Sequence, residues 1–148
     1  MSARANLVDL AEYRTPEEQK QAVLAKVGDL SELTVLGDLV IVSLYVKPNR
    51  SKGGILFADK TVEEDRYQSK CGLVLQVGPT AFKYDGPYVW GKWTDADGID
   101  HHATPPKVGD WVMFRAADGW DQDIKGIACR MVHSDLIKAI VTDPAVIY

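Results

Sequence analysis

The sequence predicts a mainly β domain, a small antiparallel barrel, that follows a short N-terminal helix. Several short runs rich in β-branched and aromatic residues are separated by turns that contain Gly and Pro, and the chain has no internal repeat or low-complexity tract. Its 148 residues, 46% hydrophobic and 26% charged, suit one globular domain with a substantial core. The net charge of −4 argues against a general nucleic-acid or membrane-surface binder.

Residues 1–34 are predicted to form an N-terminal extension with one short helix. Thr15 is a suitable N-cap, Pro16 fits the first helical position, and Glu18 completes a capping box with Thr15. Gly28 is a suitable stop. Apolar residues recur at helical spacing on one side: Val23, Leu24 and Val27. A helix of only about three turns needs packing against the rest of the chain to be stable.

Five apolar runs predict the strands of the domain at 35–148. They are residues 39–46, 72–77, 111–114, 127–132 and 136–141. Each run is rich in strand-forming residues and is bounded by Gly, Pro or charged positions. The roof segment 80–106, which is rich in Gly, Pro, aromatic residues and Asp, predicts no definite element.

The long segment 47–70 between the first two strands is polar and charged except at one place. There Gly53 and Gly54 precede the apolar trio Ile55, Leu56 and Phe57. A loop of this length in a small domain is usually functional or disordered, and an exposed apolar cluster in it indicates a contact site. The residues also allow a second interpretation, in which the trio is a short core strand after a Gly-Gly turn.

Five short motifs follow one another between Val35 and Val141. They are Lys47-Pro48, 53–57 (GGILF), 72–79 (GLVLQVGP), 107–114 (KVGDWVMF) and 134–140 (SDLIKAI). Each motif is weak by itself, whereas the five in this order resemble the GroES, or 10-kDa chaperonin, family.

The resemblance implies a GroES-like barrel with a mobile loop at 47–70 and an enlarged roof at 80–106. Members of that family form a homoheptameric dome that caps a GroEL-type chaperonin and encloses an unfolded client protein during ATP-driven folding. The subunit seams of such a ring are expected near residues 39–46 and 136–141. The resemblance therefore implies that the chain is a co-chaperonin and not an enzyme.

The resemblance also assigns roles within the loop. Ile55, Leu56 and Phe57 are implied to bind the chaperonin, and Gly53 and Gly54 are implied to form the loop hinge. An aliphatic residue is usual where Phe57 stands, so this chain needs a roomier groove on its partner.

Two further departures from the family pattern enlarge the subunit: the extension 1–34 and the long roof 80–106. An enlarged dome resembles the co-chaperonins that some bacteriophages encode to house a bulky capsid protein, which would act in the cytoplasm of the bacterial host. The aromatic roof residues either line the chamber or pack under a long loop: Tyr84, Tyr88, Trp90 and Trp93. The nearby Asp95, Asp97 and Asp100 make the roof mildly acidic or form a solvated turn.

No residue pattern predicts catalysis, a metal site or a cofactor. His101 and His102 are adjacent, so on an extended chain they point to opposite faces and rarely share an ion. His133 and Cys129 are four positions apart on a predicted strand, about 13 Å, with no third group to orient them. Cys71 and Cys129 are isolated and are predicted to be reduced core thiols, although two cysteines are able to pair.

The sequence also predicts a cytoplasmic location. No apolar run approaches the ~20 residues of a membrane span, and residues 1–10 contain no apolar stretch of signal-peptide length. An alternative function remains open, in which the chain is a structural or adaptor barrel of a viral particle without a chaperonin partner.

Overall fold

A computed structural model describes residue 8 and residues 10–13, 15–47, 69–82 and 91–147. Within these ranges the chain forms one α-helix and eight strands: α1 (Pro16–Val27), β1 (Leu39–Leu44), β2 (Cys71–Val77), β3 (Gly91–Thr94), β4 (Asp100–Ala103), β5 (Trp111–Met113), β6 (Trp120–Ile124), β7 (Ile127–His133) and β8 (Ala139–Val141). Short 3-10 turns lie at Leu10–Glu12, Ser134–Leu136 and Pro144–Val146. No helix in the described ranges is long and apolar enough to cross a bilayer.

Six of the strands form one antiparallel sheet in the order β6-β7-β1-β2-β5-β8, and β3 pairs with β4 in a separate hairpin. The strands of this sheet are joined antiparallel at every step. The predicted fold class, a mainly β and barrel-like antiparallel domain with a short N-terminal helix, is therefore confirmed.

Both faces of the sheet are buried. The first cluster, called here the helix-side core, joins sheet residues to the N-terminal extension and includes Leu10, Val23, Val27, Leu30, Ile41, Tyr45, Cys71, Leu73, Trp111 and Cys129. The second lies on the opposite face and includes Val40, Val42, Leu44, Val74, Phe82, Val112 and Phe114. Burial on both faces explains why these strands are nearly continuously apolar in sequence.

Helix α1 begins and ends where the sequence predicts. The Thr15 hydroxyl accepts a hydrogen bond from the backbone N–H of Glu18 at 3.1 Å, which satisfies one of the free N–H groups of the first turn. Gly28 ends the helix with φ of 65°, a conformation that favours glycine. Val23 and Val27 are buried against the sheet, so the helix has the packing partner that its short length requires.

Four strands differ from the prediction. The strands β3 and β4 lie in the roof segment, where no element was predicted, and β6 was also missed. The strand predicted at 136–141 begins only at Ala139 because Ser134–Leu136 forms a 3-10 turn, in which the N–H of Ile137 bonds the Ser134 carbonyl at 3.2 Å.

Residues 40–46, most of the stretch expected near a ring seam, are buried within this chain. Strand β1 lies inside the sheet, with β2 hydrogen-bonded on one side and β7 on the other. Its backbone groups are therefore already paired and are not free for a neighbouring subunit.

Candidate functional site

The two ends of segment 47–70 lie side by side, one shortly after the end of β1 and the other just before the start of β2. We call Tyr45, Val46, Ser69 and Lys70 the stem of this segment. The N–H of Tyr45 donates to the carbonyl of Cys71 at 2.9 Å, which extends the β1–β2 pairing by one step. The chain thus leaves the sheet and returns to it at neighbouring positions.

The first end of the stem is fixed by a side chain of the N-terminal helix. Gln19 is 1% exposed, and its Nε2 donates to the carbonyl of Val46 at 2.8 Å while its Oε1 accepts from the N–H of Val46 at 3.1 Å. Nε2 also lies 3.4 Å from the carbonyl of Leu10. One buried amide therefore satisfies both peptide groups of Val46, as a neighbouring strand would.

The second end is fixed by its own turn and by β5. The buried Ser69 hydroxyl donates to the carbonyl of Cys71 at 2.9 Å and accepts from the N–H of Cys71 at 3.2 Å. The carbonyl of Lys70 accepts from the N–H of Phe114 at 2.9 Å. Both ends of the segment are consequently held by short bonds to a packed framework.

One stem residue, Tyr45, belongs to an aromatic pair. The rings of Tyr45 and Trp111 meet edge to face, with centroids 5.6 Å apart and planes at 89°. Both residues belong to the helix-side core, and burial, followed by the charge of Asp143, raises the pKa of the Tyr45 hydroxyl above its ordinary value. The pair packs in the edge-to-face geometry that aromatic rings prefer.

The predicted chaperonin-binding residues Ile55, Leu56 and Phe57 and the predicted hinge Gly53 and Gly54 lie outside the described residues. The structure places only the stem from which they extend, and their roles remain predictions.

The sequence analysis did not identify Gln19, although a signal was present. Gln19, Val23 and Val27 are spaced four residues apart and share one helix face. A polar residue on the apolar face of a docked helix indicates a buried hydrogen-bonding partner.

The roof acids form a turn. One carboxylate oxygen of Asp95 accepts from the N–H groups of Asp97 and Ile99, both at 2.9 Å, and Asp100 accepts from the Thr94 hydroxyl at 2.8 Å. These bonds close the β3–β4 hairpin and favour the solvated-turn interpretation. The side chains of Trp93, His101 and His102 and all of Tyr84, Tyr88 and Trp90 lie outside the described residues.

His133 is oriented by a neighbour on another segment. Its Nδ1 lies 2.8 Å from Oδ1 of Asp38, and its ring lies beside that of Trp120 with centroids 6.5 Å apart. Cys129 lies four positions earlier on the same strand and is buried. The described residues contain no group of three or more His, Cys, Asp or Glu side chains that would hold a metal ion.

Both cysteines are free and buried, as predicted. Burial raises the pKa of Cys71 to about 11 and that of Cys129 to about 12. Thiols that stay protonated at neutral pH are poor nucleophiles and poor metal ligands.

No protein-family model and no curated protein matches this sequence. The function is therefore inferred from the stem, the edges of the sheet and the order of the sequence motifs.

Proposed function

We propose that this chain is a co-chaperonin subunit, a GroES-like protein that caps a GroEL-type chaperonin and encloses a client protein while the chaperonin hydrolyses ATP. The observation that supports it most is the stem. A long, mostly polar segment leaves and re-enters the sheet at adjacent positions, and within it the sequence has one apolar run, 55–57. This arrangement presents a contact peptide on a fixed base.

Weak contacts by single loops suit such a function. Ordering a peptide on binding costs roughly 1–2 kcal/mol of backbone entropy per residue, so one loop binds weakly. Several loops on one ring bind together, and avidity exceeds the affinity of one loop by about 10²–10⁴. A cap that must dissociate in every cycle needs this combination of weak single contacts and strong collective binding.

The proposed homoheptamer needs two different contact surfaces on each subunit, because a head-to-tail interface closes into a ring. In the described sheet β8 pairs with β5 alone, and its Ile140 side chain is 45% exposed. Leu36, which is 71% exposed, lies in the irregular stretch before β1. We expect β8 of one subunit to contact the Leu36 stretch of the next, in place of the seam expected on β1.

The proposed activity needs no catalytic group or cofactor in this chain, because ATP hydrolysis belongs to the partner. The place of action that we propose is the cytoplasm, that of a bacterial host if the protein is encoded by a bacteriophage. The enlarged roof and the extension suit a larger chamber and a bulky client.

Co-migration with a GroEL-type chaperonin tests the proposal. The purified chain is mixed with the chaperonin with and without ATP or ADP, and the complex is measured by gel filtration. We expect a nucleotide-dependent complex that is lost with Leu56→Asp and kept with Val108→Asp, a control that adds the same charge at a side chain 55% exposed elsewhere. No complex from the folded protein under any nucleotide condition would contradict the proposal and favour the structural or adaptor barrel.

A further inference from the structure

The N-terminal extension, which the family pattern lacks, is joined directly to the stem. We propose that Gln19 is a positioning residue that fixes the start of segment 47–70, so that helix α1 belongs to the partner-binding apparatus. This inference rests on the proposed function for the identity of the partner and on the described contacts for its geometry.

The extension is anchored beyond Gln19 at the β6–β7 turn. The N–H of Val8 donates to the carbonyl of Gly126 at 2.6 Å, and Lys125 Nζ donates to the carbonyl of Val27 at 2.8 Å. Lys125 Nζ also lies 3.1 Å from a carboxylate oxygen of Glu32. These bonds tie the extension to the sheet on both sides of α1.

A second, half-buried glutamine holds the chain where it leaves the extension. Gln76 of β2 accepts from the N–H of Val35 at 2.8 Å and donates to the carbonyl of Leu33 at 2.8 Å. With Val23 and Val27 buried in the helix-side core, the helix has a fixed place on the sheet. The amide of Gln19 is therefore presented to Val46 from a rigid support.

Val46 depends on this support because β1 ends at Leu44. Its N–H and carbonyl bond Gln19, whereas the preceding Tyr45 still bonds the β2 side through Cys71. Without the amide, two buried peptide groups lose their partners, and the end of the strand gains freedom by separating from the helix. Each further residue that must be ordered when the partner binds lowers the affinity by about tenfold.

The test compares Gln19→Met with Gln21→Met. Methionine keeps the length and helix preference of glutamine and removes its hydrogen bonds. Gln21 lies on the same helix, is exposed and donates from its Nε2 to the carboxylate of Glu17 at 2.9 Å, so it is a matched control. We expect Gln19→Met to speed amide hydrogen exchange at Val46 and to weaken chaperonin binding by about tenfold or more, and Gln21→Met to do neither.

A purely structural role gives a different result. In that case Gln19→Met lowers the midpoint of thermal unfolding. The affinity for the chaperonin is unchanged when it is measured well below the unfolding midpoints of the wild type and the variant. Unchanged affinity in the folded variant overturns the proposal.

A second variant tests the hydrogen bonds if the first folds poorly. Gln19→Glu keeps the acceptor for the Val46 N–H, but an ionised carboxylate cannot donate to the Val46 carbonyl. As the pH falls and the carboxyl takes up a proton, we expect exchange at Val46 to approach that of the wild type at the same pH. A pH-independent difference between the two proteins overturns the hydrogen-bond basis of the proposal.

The two proposals fail in distinguishable ways. If the wild type does not bind the chaperonin, the proposed function and the partner-binding role of Gln19 both fail, while exchange at Val46 still decides whether Gln19 fixes the stem. If the wild type binds and Gln19→Met binds equally well, only the role of Gln19 fails.

Discussion

Single side chains complete the backbone hydrogen bonding of this fold at positions outside the strands. Gln19 does so for Val46, and Gln76 does so for Val35 and Leu33. An amide has both a donor and an acceptor, so one side chain satisfies an N–H and a carbonyl at once. An apolar residue at position 19 would leave the buried N–H and carbonyl of Val46 unpaired, at about 1–3 kcal/mol each.

Burial also controls the chemistry of the cysteines. The pKa of Cys71 is raised to about 11 and that of Cys129 to about 12, because burial disfavours the thiolate. We expect neither thiol to react with an aromatic disulfide reagent at pH 8 in the native protein, and both to react in denaturant. Rapid reaction of either thiol in the native protein would contradict this prediction.

The raised pKa values of the two thiols also predict how the stability of the fold changes with pH. Unfolded thiols ionise near pH ~8.5, whereas the folded ones remain protonated to higher pH, so the unfolded state binds fewer protons between these values. Their contribution to stability is complete below pH ~8.5 and is lost as the pH rises toward the folded values. Urea midpoints measured from pH 8 to pH 11 should therefore fall, and less so in a Cys71→Ala, Cys129→Ala double variant.

At the scale of elements, the sequence predicted the strands whose side chains are mostly buried, and part of β8. It missed β6, whose residues WDQDI are mostly polar, because that strand lies at an edge of the described sheet. A clue was present in β7, where the buried Arg130 needs an acceptor and finds Asp121 of β6 at 3.0 Å. The β3–β4 hairpin was missed although its turn contains Asp95 and Gly98, typical turn residues.

The order of strands in the sheet was not predictable from one sequence. Local patterns give the place of a strand but not its neighbours, which depend on contacts distant in the chain. The position of β1 between β7 and β2, for example, does not follow from residues 39–46 themselves. For the candidate site, the apolar trio and the Gly-Gly pair remain predictions from the sequence, whereas the Gln19 contact with Val46 comes from the fold.

The N-terminal extension is expected to be essential for folding. Its buried apolar residues in the helix-side core are Leu10, Val23, Val27 and Leu30. Each contributes about 1.5–3 kcal/mol, so their total is comparable to the whole stability of a typical domain, about 5–15 kcal/mol. We expect residues 35–148 alone to aggregate or to lack a cooperative thermal transition.

A milder change serves as the control for that truncation. Thr15→Ala removes the N-cap bond to Glu18 and should cost about 1 kcal/mol while leaving the chain folded. Circular dichroism melting of both proteins makes the comparison. A cooperative transition in 35–148 near that of the full chain would show that the extension is dispensable.

At the scale of the whole molecule, the two edges of the described sheet differ. Strand β6 carries Asp121 and Asp123, and charged residues on an edge discourage pairing with other chains. Strand β8 has the apolar sequence Ala139–Val141, with Ile140 partly exposed. One edge is thus protected by charge, whereas the other has no further strand among the described residues and presents an apolar side chain to a neighbour.

The assembly should therefore depend on β8. Ile140→Asp places a charge at the proposed seam, and we expect light scattering after gel filtration to show a subunit mass in place of a ring. Leu36→Asp should have the same effect, whereas Val108→Asp, exposed but outside the seam, should not.

Single subunits keep segment 47–70 but lose multivalency, so their affinity for the chaperonin should fall by about 10²–10⁴. A ring of unchanged mass in both seam variants would place the subunit contacts on another surface.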